Sequence, residues 1–404
     1  MSEWKEYKFE DITTEIGDGI HGTPIYSEDG EFYFINGNNI SNGKVIIKGD
    51  TKRVNQIEFE KYKKPLSDRT ILLSINGTIG NVGFYNNEKC ILGKSACYFN
   101  LKDNVDKHFV YYTFLADNFQ SHLLNIATGT TIQNVPLKGL RESTIMLPPL
   151  DEQKRIASIF SSLDDKIDLL NRENATLEAM AETLFRQWFI EEAKEDWEEG
   201  KLGNYVNETV SGEWGKENPE GDFIKPVQCI RGTDIADLNI GLATKTPIRF
   251  IKESKFDKIE PNNGDIIMEI SGGTENQSTG RVTFINEDVK ALFDYPIIFS
   301  NFCRLLRIKE ECTYFIYCYL RYLYNQDELF NLENGSSGIK NLDYKALLYE
   351  LSYPMPNEKR QILDFNNKVR LYFDKINRNK QQIQTLIHTR DILLPKLMSN
   401  EIQL

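Results

Sequence analysis

The chain has 404 residues, 40% of them hydrophobic and 11% aromatic, which is enough for two or three cored domains. Its formal charge of −12 excludes a protein that coats nucleic acid by bulk electrostatics. The charge is uneven: residues 1–150, 151–196, 197–356 and 357–404 carry −2, −6, −8 and +4, so a DNA function must rest on local basic strips or on partner subunits.

The opening segment MSEWKEYKFEDI lacks an apolar h-region and carries Glu3, Glu6 and Glu10, so no signal peptide is expected. Short alternating apolar runs follow, among them Phe32 to Ile35, Lys44 to Ile47 and Thr70 to Ile75. Gly, Asn and Asp turns cut them, and they read as strands. An aromatic helix is predicted over Val105 to Asn125. A Gly/Thr-rich loop comes next, then a boundary at Pro148-Pro149 and a long helix. The same order then recurs, with the second aromatic helix over Thr313 to Asn325. The most apolar stretch, Phe315 to Leu323, is short and broken by Arg321, so no membrane span is expected. Cys90, Cys97, Cys229, Cys303, Cys312 and Cys318 form no CxxC pair and read as buried reduced thiols, which points to the cytoplasm.

The recurrence is a tandem duplication. Trp4 precedes Phe9 as Trp197 precedes Leu202. Ile35-Asn-Gly-Asn-Asn-Ile40 returns as Ile230-Arg-Gly-Thr-Asp-Ile235, and ILLSINGT ending at Thr78 returns as IIMEISGG ending at Gly273, both offset by 195. HFVYY (108–112) matches YFIYC (314–318), and TGTTIQNVPLKGL matches NGSSGIKNLDYKAL. LPPLDEQKRI (147–156) is echoed by YPMPNEKRQI (353–362). Six matches in one order make a repeat of about 200 residues.

Each half closes on a heptad seam. The first runs Ile156, Phe160, Leu163, Ile167, Leu170, Asn174, Leu177, Ala181, Leu184, Trp188. The second runs Ile362, Phe365, Val369, Tyr372, Ile376, Asn379, Ile383, Leu386, Arg390, Leu393, Leu397, with Pro395 expected to kink or end it. An acidic first helix and a basic last one favour pairing with each other. An antiparallel pair that sets Asn174 opposite Asn379 also sets Ile167 against Leu386, Leu170 against Ile383, Leu177 against Ile376 and Leu184 against Val369. In that register Arg390 lies near Asp164 or Asp165. A heptad slip would strand each amide against hydrocarbon at about 1–3 kcal/mol, so the two Asn residues are expected to lock the register.

Catalytic signatures are missing from the sequence. The one Pro-Pro, in Leu147-Pro148-Pro149-Leu150, lacks both ends of an adenine methyltransferase tetrapeptide. Gly93-Lys94-Ser95 has Glu88 where a phosphate loop needs glycine. Glu152-Gln153-Lys154 opens a helix and reads as a solvated face rather than a metal site. His21, His108, His122 and His388 have no ligand spacing. No catalytic and no metal residue is assigned.

Residues 147–189, LPPLDEQKRIASIFSSLDDKIDLLNRENATLEAMAETLFRQWF, resemble the central conserved region of specificity subunits of type I restriction–modification systems. MPNEKRQILDFNNKVRLYFDKINRN (355–379) is a looser counterpart in which the Pro-Leu end of the boundary is lost. The resemblance implies an α+β chain of four parts: recognition domain 1 at 1–148, a central coiled-coil helix at 149–192, recognition domain 2 at 193–355 and a distal helix at 356–404. The halves would be related by a pseudo-twofold axis. It implies a non-catalytic subunit whose two domains each read half of a split double-stranded DNA target, and whose helices hold two methyltransferase subunits and fix the spacing. Motor/nuclease (restriction) subunits would join them. S-adenosylmethionine, ATP and Mg would belong to those partners and none to this chain, and no membrane is involved.

Reading groups are expected among polar side chains on loops. In the first half these are Asn36, Asn38, Asn39, Lys94, Thr130, Thr131, Gln133 and Lys138. In the second they are Arg231, Thr233, Asn276, Gln277, Arg281, Ser336, Ser337 and Lys340. The Gly-flanked loops 127–134 and 334–341 are the strongest candidates as clusters. Two other readings stand beside this one: a coiled-coil adaptor binding RNA or protein, and a recognition module of another restriction class.

Overall fold

The computed structural model describes residues 4–129, 131–242, 246–274, 276–335, 339–402 and 404. The chain forms two compact units, Met1–Asp165 with Ile387–Leu404, and Lys166–Leu386, so each long helix contributes to both.

The first unit holds a four-stranded antiparallel sheet in the order Thr13–Asp18, Ala96–Leu101, Thr70–Ser74, Val82–Phe84. A smaller sheet pairs Phe32–Ile35 antiparallel with Arg53–Val54 and parallel with Cys90–Leu92. Lys5–Lys8 pairs with Thr144–Leu147 and ties the start of the unit to its end. The two central strands, TILLS and ACYFNL, are buried along their whole length, as near-continuous apolar runs should be. Their core includes Phe9, Phe99, Phe109 and Phe114. Ile156, Ala157 and Phe160 of the central helix and Leu394 and Leu397 of the distal helix join it.

The second unit repeats the plan of these three sheets. Its four-stranded sheet runs Val206–Ser211, Cys303–Ile308, Ile266–Glu269, Val282–Phe284. Its smaller sheet pairs Lys225–Ile230 antiparallel with Ile248–Ile251 and parallel with Ile297–Phe299. Glu198–Gly200 closes on Tyr353–Met355. The duplication read from sequence is thus a duplication of topology, including a parallel strand pair in each half.

The aromatic helices differ between the copies. Thr313–Asn325 is a single helix, whereas the first copy is broken into Lys107–Leu115 and Asp117–Ile126 by an extended Ala116. The long helices span Leu150–Arg186, prolonged by a π-turn over Gln187–Glu191, and Lys359–Met398. Pro395 does not stop the second one. It lies in the last turn, and the Ser399 N–H still bonds to its carbonyl at 3.1 Å.

Within each unit the helices run antiparallel. In the second unit Glu173 meets Lys375 (3.4 Å), Asn174 meets Asn379 (2.9 Å) and the Trp188 carbonyl accepts from Gln361 (3.2 Å). Leu177, Leu184, Val369 and Ile376 share one apolar cluster. In the first unit Arg390 bonds to Asp164 at 3.0 Å, and Asp164 also accepts from the Tyr112 hydroxyl at 2.8 Å.

The solvated face expected at the start of the central helix is overturned. Glu152 is buried and accepts from the Trp4 indole at 3.3 Å. Gln153, 2% exposed, donates to the Pro148 carbonyl (2.8 Å) and accepts from the Asp106 N–H (2.9 Å). These side chains staple the helix start to the domain. All six cysteines are buried and free. Among the described residues no helix is long and apolar enough to cross a membrane.

Candidate nucleic-acid interface

The repeated Ile-x-Gly-x-Asn/Asp-Ile element is a capped 3-10 turn that enters each loop cluster. In the first unit the Asn36 N–H donates to Asn39 Oδ1 (3.1 Å); in the second the Arg231 N–H donates to Asp234 Oδ2 (2.9 Å). The glycine is needed because the turn lies against the sheet. A Cβ on Gly37 would fall 2.9 Å from Ser74 Cβ, and one on Gly232 would fall 2.6 Å from Glu269 Oε1.

In the first unit Ser95 is the hub. Its hydroxyl donates to Asn36 Oδ1 (3.1 Å) and accepts from the Gly37 N–H (2.9 Å), while its carbonyl accepts from the Ile75 N–H (2.9 Å). The loop after Ile75 then holds the Gly-flanked hairpin: Gly77 N–H donates to the Gln133 carbonyl (3.2 Å), and Asn76 Nδ2 to Asn134 Oδ1 (3.2 Å). Three segments distant in sequence therefore converge. They bring together Asn36, Asn38, Lys94, Thr131 and Gln133, of which all but Asn36 are exposed. Lys138 stands apart on the short helix Leu137–Glu142, in an exposed pair with Glu142 at 3.9 Å. Thr130 lies outside the described residues.

Asn39 must be removed from the reading set. It is buried, and its amide donates to the Ile46 carbonyl (3.0 Å) and the Thr51 hydroxyl (3.2 Å), so no donor remains for a base.

The second unit builds the equivalent cluster with charge. The Ile270 N–H donates to the Phe302 carbonyl at 2.9 Å, as Ile75 does to Ser95. Ser271 pairs with Asn341 and Gly272 with Lys340, which seats the second hairpin on the equivalent strand-end loop. Glu269, 2% exposed, receives a two-pronged bond from Arg281 at 2.7 and 2.8 Å. Glu333 accepts from Thr279 through its N–H (2.6 Å) and hydroxyl (2.9 Å) and pairs with Lys340 (2.9 Å). Burial opposes the charged Glu333 carboxylate, but Lys340 and the Thr279 donors outweigh it and hold its pKa below the usual range.

Arg281, expected to read DNA, instead braces the loop: its guanidinium is committed to a buried carboxylate and its side chain is 18% exposed, against 35% for Arg231. Arg231 grips Asp234 in the same two-pronged way, at 2.7 and 2.9 Å. Lys340 is shared with Glu333, and Gln277 reaches the Tyr324 hydroxyl at 3.3 Å. Thr233, Asn276 and Gln277 are exposed. Ser336 and Ser337 lie outside the described residues. The residues that sequence reading missed are the hubs, Ser95, Asn76, Asn134, Glu269 and Glu333. Ser95 lies within Gly93-Lys94-Ser95, a segment whose sequence says only that it is no phosphate loop.

Exposed amides, hydroxyls and lysines on loops at the ends of the central strands suit hydrogen bonding to base edges and phosphates. The same cluster is built twice in one chain, which defines a two-site recognition protein. The family model for the type I restriction modification DNA specificity domain matches residues 1–179 and again 194–385. The chain belongs to that family and is a non-catalytic DNA-specificity subunit. It is 26% identical over 428 residues to the type I restriction enzyme MjaIX specificity subunit of Methanocaldococcus jannaschii, covering 99% of this chain and 94% of that protein. It is 25% identical over 197 residues to the HindI specificity subunit of Haemophilus influenzae, covering 47% of this chain and 42% of the other. The crystal structure of the type I restriction–modification S subunit from M. genitalium shares its fold, with a TM-score of 0.58, 19% identity, and coverage of 98% and 96%. The adaptor reading is thereby set aside.

Proposed function

We propose that each loop cluster reads one half of a split double-stranded DNA target, and that the paired helices hold two methyltransferase subunits, to which restriction subunits attach. The observation that carries this reading is the duplicated cluster itself, with the same turn, strand-end loop and hairpin joined by matching hydrogen bonds in both units. In the first half Asn36, Asn38, Lys94, Thr130, Thr131, Gln133 and Lys138 supply the reading groups. In the second, Arg231, Thr233, Asn276, Gln277, Ser336, Ser337 and Lys340 do so, with Arg231 and Lys340 acting beside their carboxylates. S-adenosylmethionine, ATP and Mg are bound by the partner subunits, and the complex works on DNA in the cytoplasm.

Methylome sequencing of a host expressing the chain with its modification subunit tests the proposal. A bipartite motif with a fixed gap is the expected result, and binding to duplexes carrying it should weaken steeply with salt. A contiguous motif, or none, would overturn it.

A further inference from the structure

Each loop cluster carries an isoleucine on its Gly-flanked hairpin. In the first unit Thr128 and Asn134 exchange two backbone hydrogen bonds of 2.8 Å; in the second Asn334 pairs with Asn341. Both hairpins are pinched in the same way. A Cβ on Gly129 (φ +103°) would lie 2.5 Å from the Ile132 carbonyl oxygen, and one on Gly335 (φ +156°) 2.6 Å from that of Ile339. Only glycine tolerates that approach. The side chains it presents are bare: Ile132 is 62% exposed and Ile339 56%. A single exposed isoleucine needs no explanation. Two, at matching places in the two copies, braced by the same glycine contact and flanked by polar Thr131, Gln133 and Lys340, do need one.

We infer that Ile132 and Ile339 are specificity-determining residues, each meeting the methyl group of a thymine in the major groove of its own half-site. The polar neighbours suit hydrogen-bonding base edges, and the thymine C5-methyl is the apolar group that the groove offers to a side chain. This rests on the half-site reading above. The glycine contact places the isoleucine, and the isoleucine supplies discrimination between thymine and cytosine at one position.

The test uses the full chain assembled with its modification subunits and a duplex carrying its methylated target. Each thymine is replaced in turn by deoxyuridine, which removes only the methyl group. One replacement in each half should weaken binding about four- to tenfold. Ile132→Ala should abolish that sensitivity in one half alone and Ile339→Ala in the other, while Ile→Val at either position keeps it. Variants that retain full deoxyuridine sensitivity, or that lose affinity equally on target and unrelated DNA, would overturn the inference while leaving the half-site reading intact. Wild-type binding without any bipartite preference would sink both.

Discussion

Asn379 donates its side-chain amide to Asn174 Oδ1 at 2.9 Å across the helix pair, with the two residues 1% and 7% exposed. The second amide hydrogen of Asn379 goes to Glu173 at 2.8 Å, so both donors are spent. A buried amide pair costs little while it is paired and much when it is not. Asn174→Leu or Asn379→Leu alone should therefore destabilise the chain by about 1–3 kcal/mol. The double variant should recover most of the loss, because it replaces a polar layer by an apolar one. Denaturant melts of the four proteins read the coupling directly; additive losses would mean that the amides do not act as a pair.

Glu269 and Arg281 make a sharper case, because the carboxylate is almost fully enclosed. Removing Arg281 as Arg281→Met strands that charge and should cost about 3–5 kcal/mol, whereas Glu269→Gln with Arg281→Met should cost far less. Asn276→Ala, on the exposed turn nearby, should leave the melting temperature unchanged. If Arg281→Met melts like wild type, Arg281 is free to read DNA and its place in the framework is wrong.

How much of this could be read from the residues depends on how many surfaces an element serves. The seam was legible because one stripe of each helix repeats with a single period, and the strands because short apolar runs are cut by turn residues. The helices also bury a second stripe, and the seam hides it. Phe185 and Phe189 pack tilted or edge-on against Phe315 and Phe365, and Phe373 lies against Tyr314 and Tyr317. Residues next to a seam look like its flank until a domain is placed on them. Glu152 and Gln153 misled for the same reason: a helix start rich in polar groups looks solvated unless one knows that Trp4 and the Asp106 N–H wait opposite. At the loops the polar residues were visible, but which were spent was not. Asn39 and Asn38 are neighbours of one chemistry, and only the fold separates the cap from the exposed amide.

The thiols give a pH-dependent expectation. Burial pushes Cys90, Cys229, Cys303 and Cys318 up to about 12 and Cys312 to about 11, and raises Cys97 well above its ordinary value of 9.0. None should react with a maleimide at pH 7.5 in the native chain, and all six should react once it unfolds. Below the unfolded-state pKa the thiols are neutral in both states and their contribution is complete. As pH rises from about 9 toward 12 the unfolded chain ionises first, so stability should fall across that window. Rapid native labelling of any of the six would contradict the burial.

The hairpin glycines should be intolerant in a local way. Gly129→Ala meets the Ile132 carbonyl and Gly335→Ala the Ile339 carbonyl. Each should cost about 1–3 kcal/mol of local strain and weaken recognition of one half-site, with the other half-site unaffected. Binding to duplexes mutated in one half at a time separates the two; equal loss in both halves would rule out a local effect.

Replacing residues 1–148 by the recognition domain of another specificity subunit, followed by methylome sequencing, probes the independence of the two readers most directly. The duplicated loop clusters predict a motif in which one half changes while the other half and the gap stay as they were. A motif altered in both halves, or unaltered in either, would contradict the claim that each cluster reads its own half of the target.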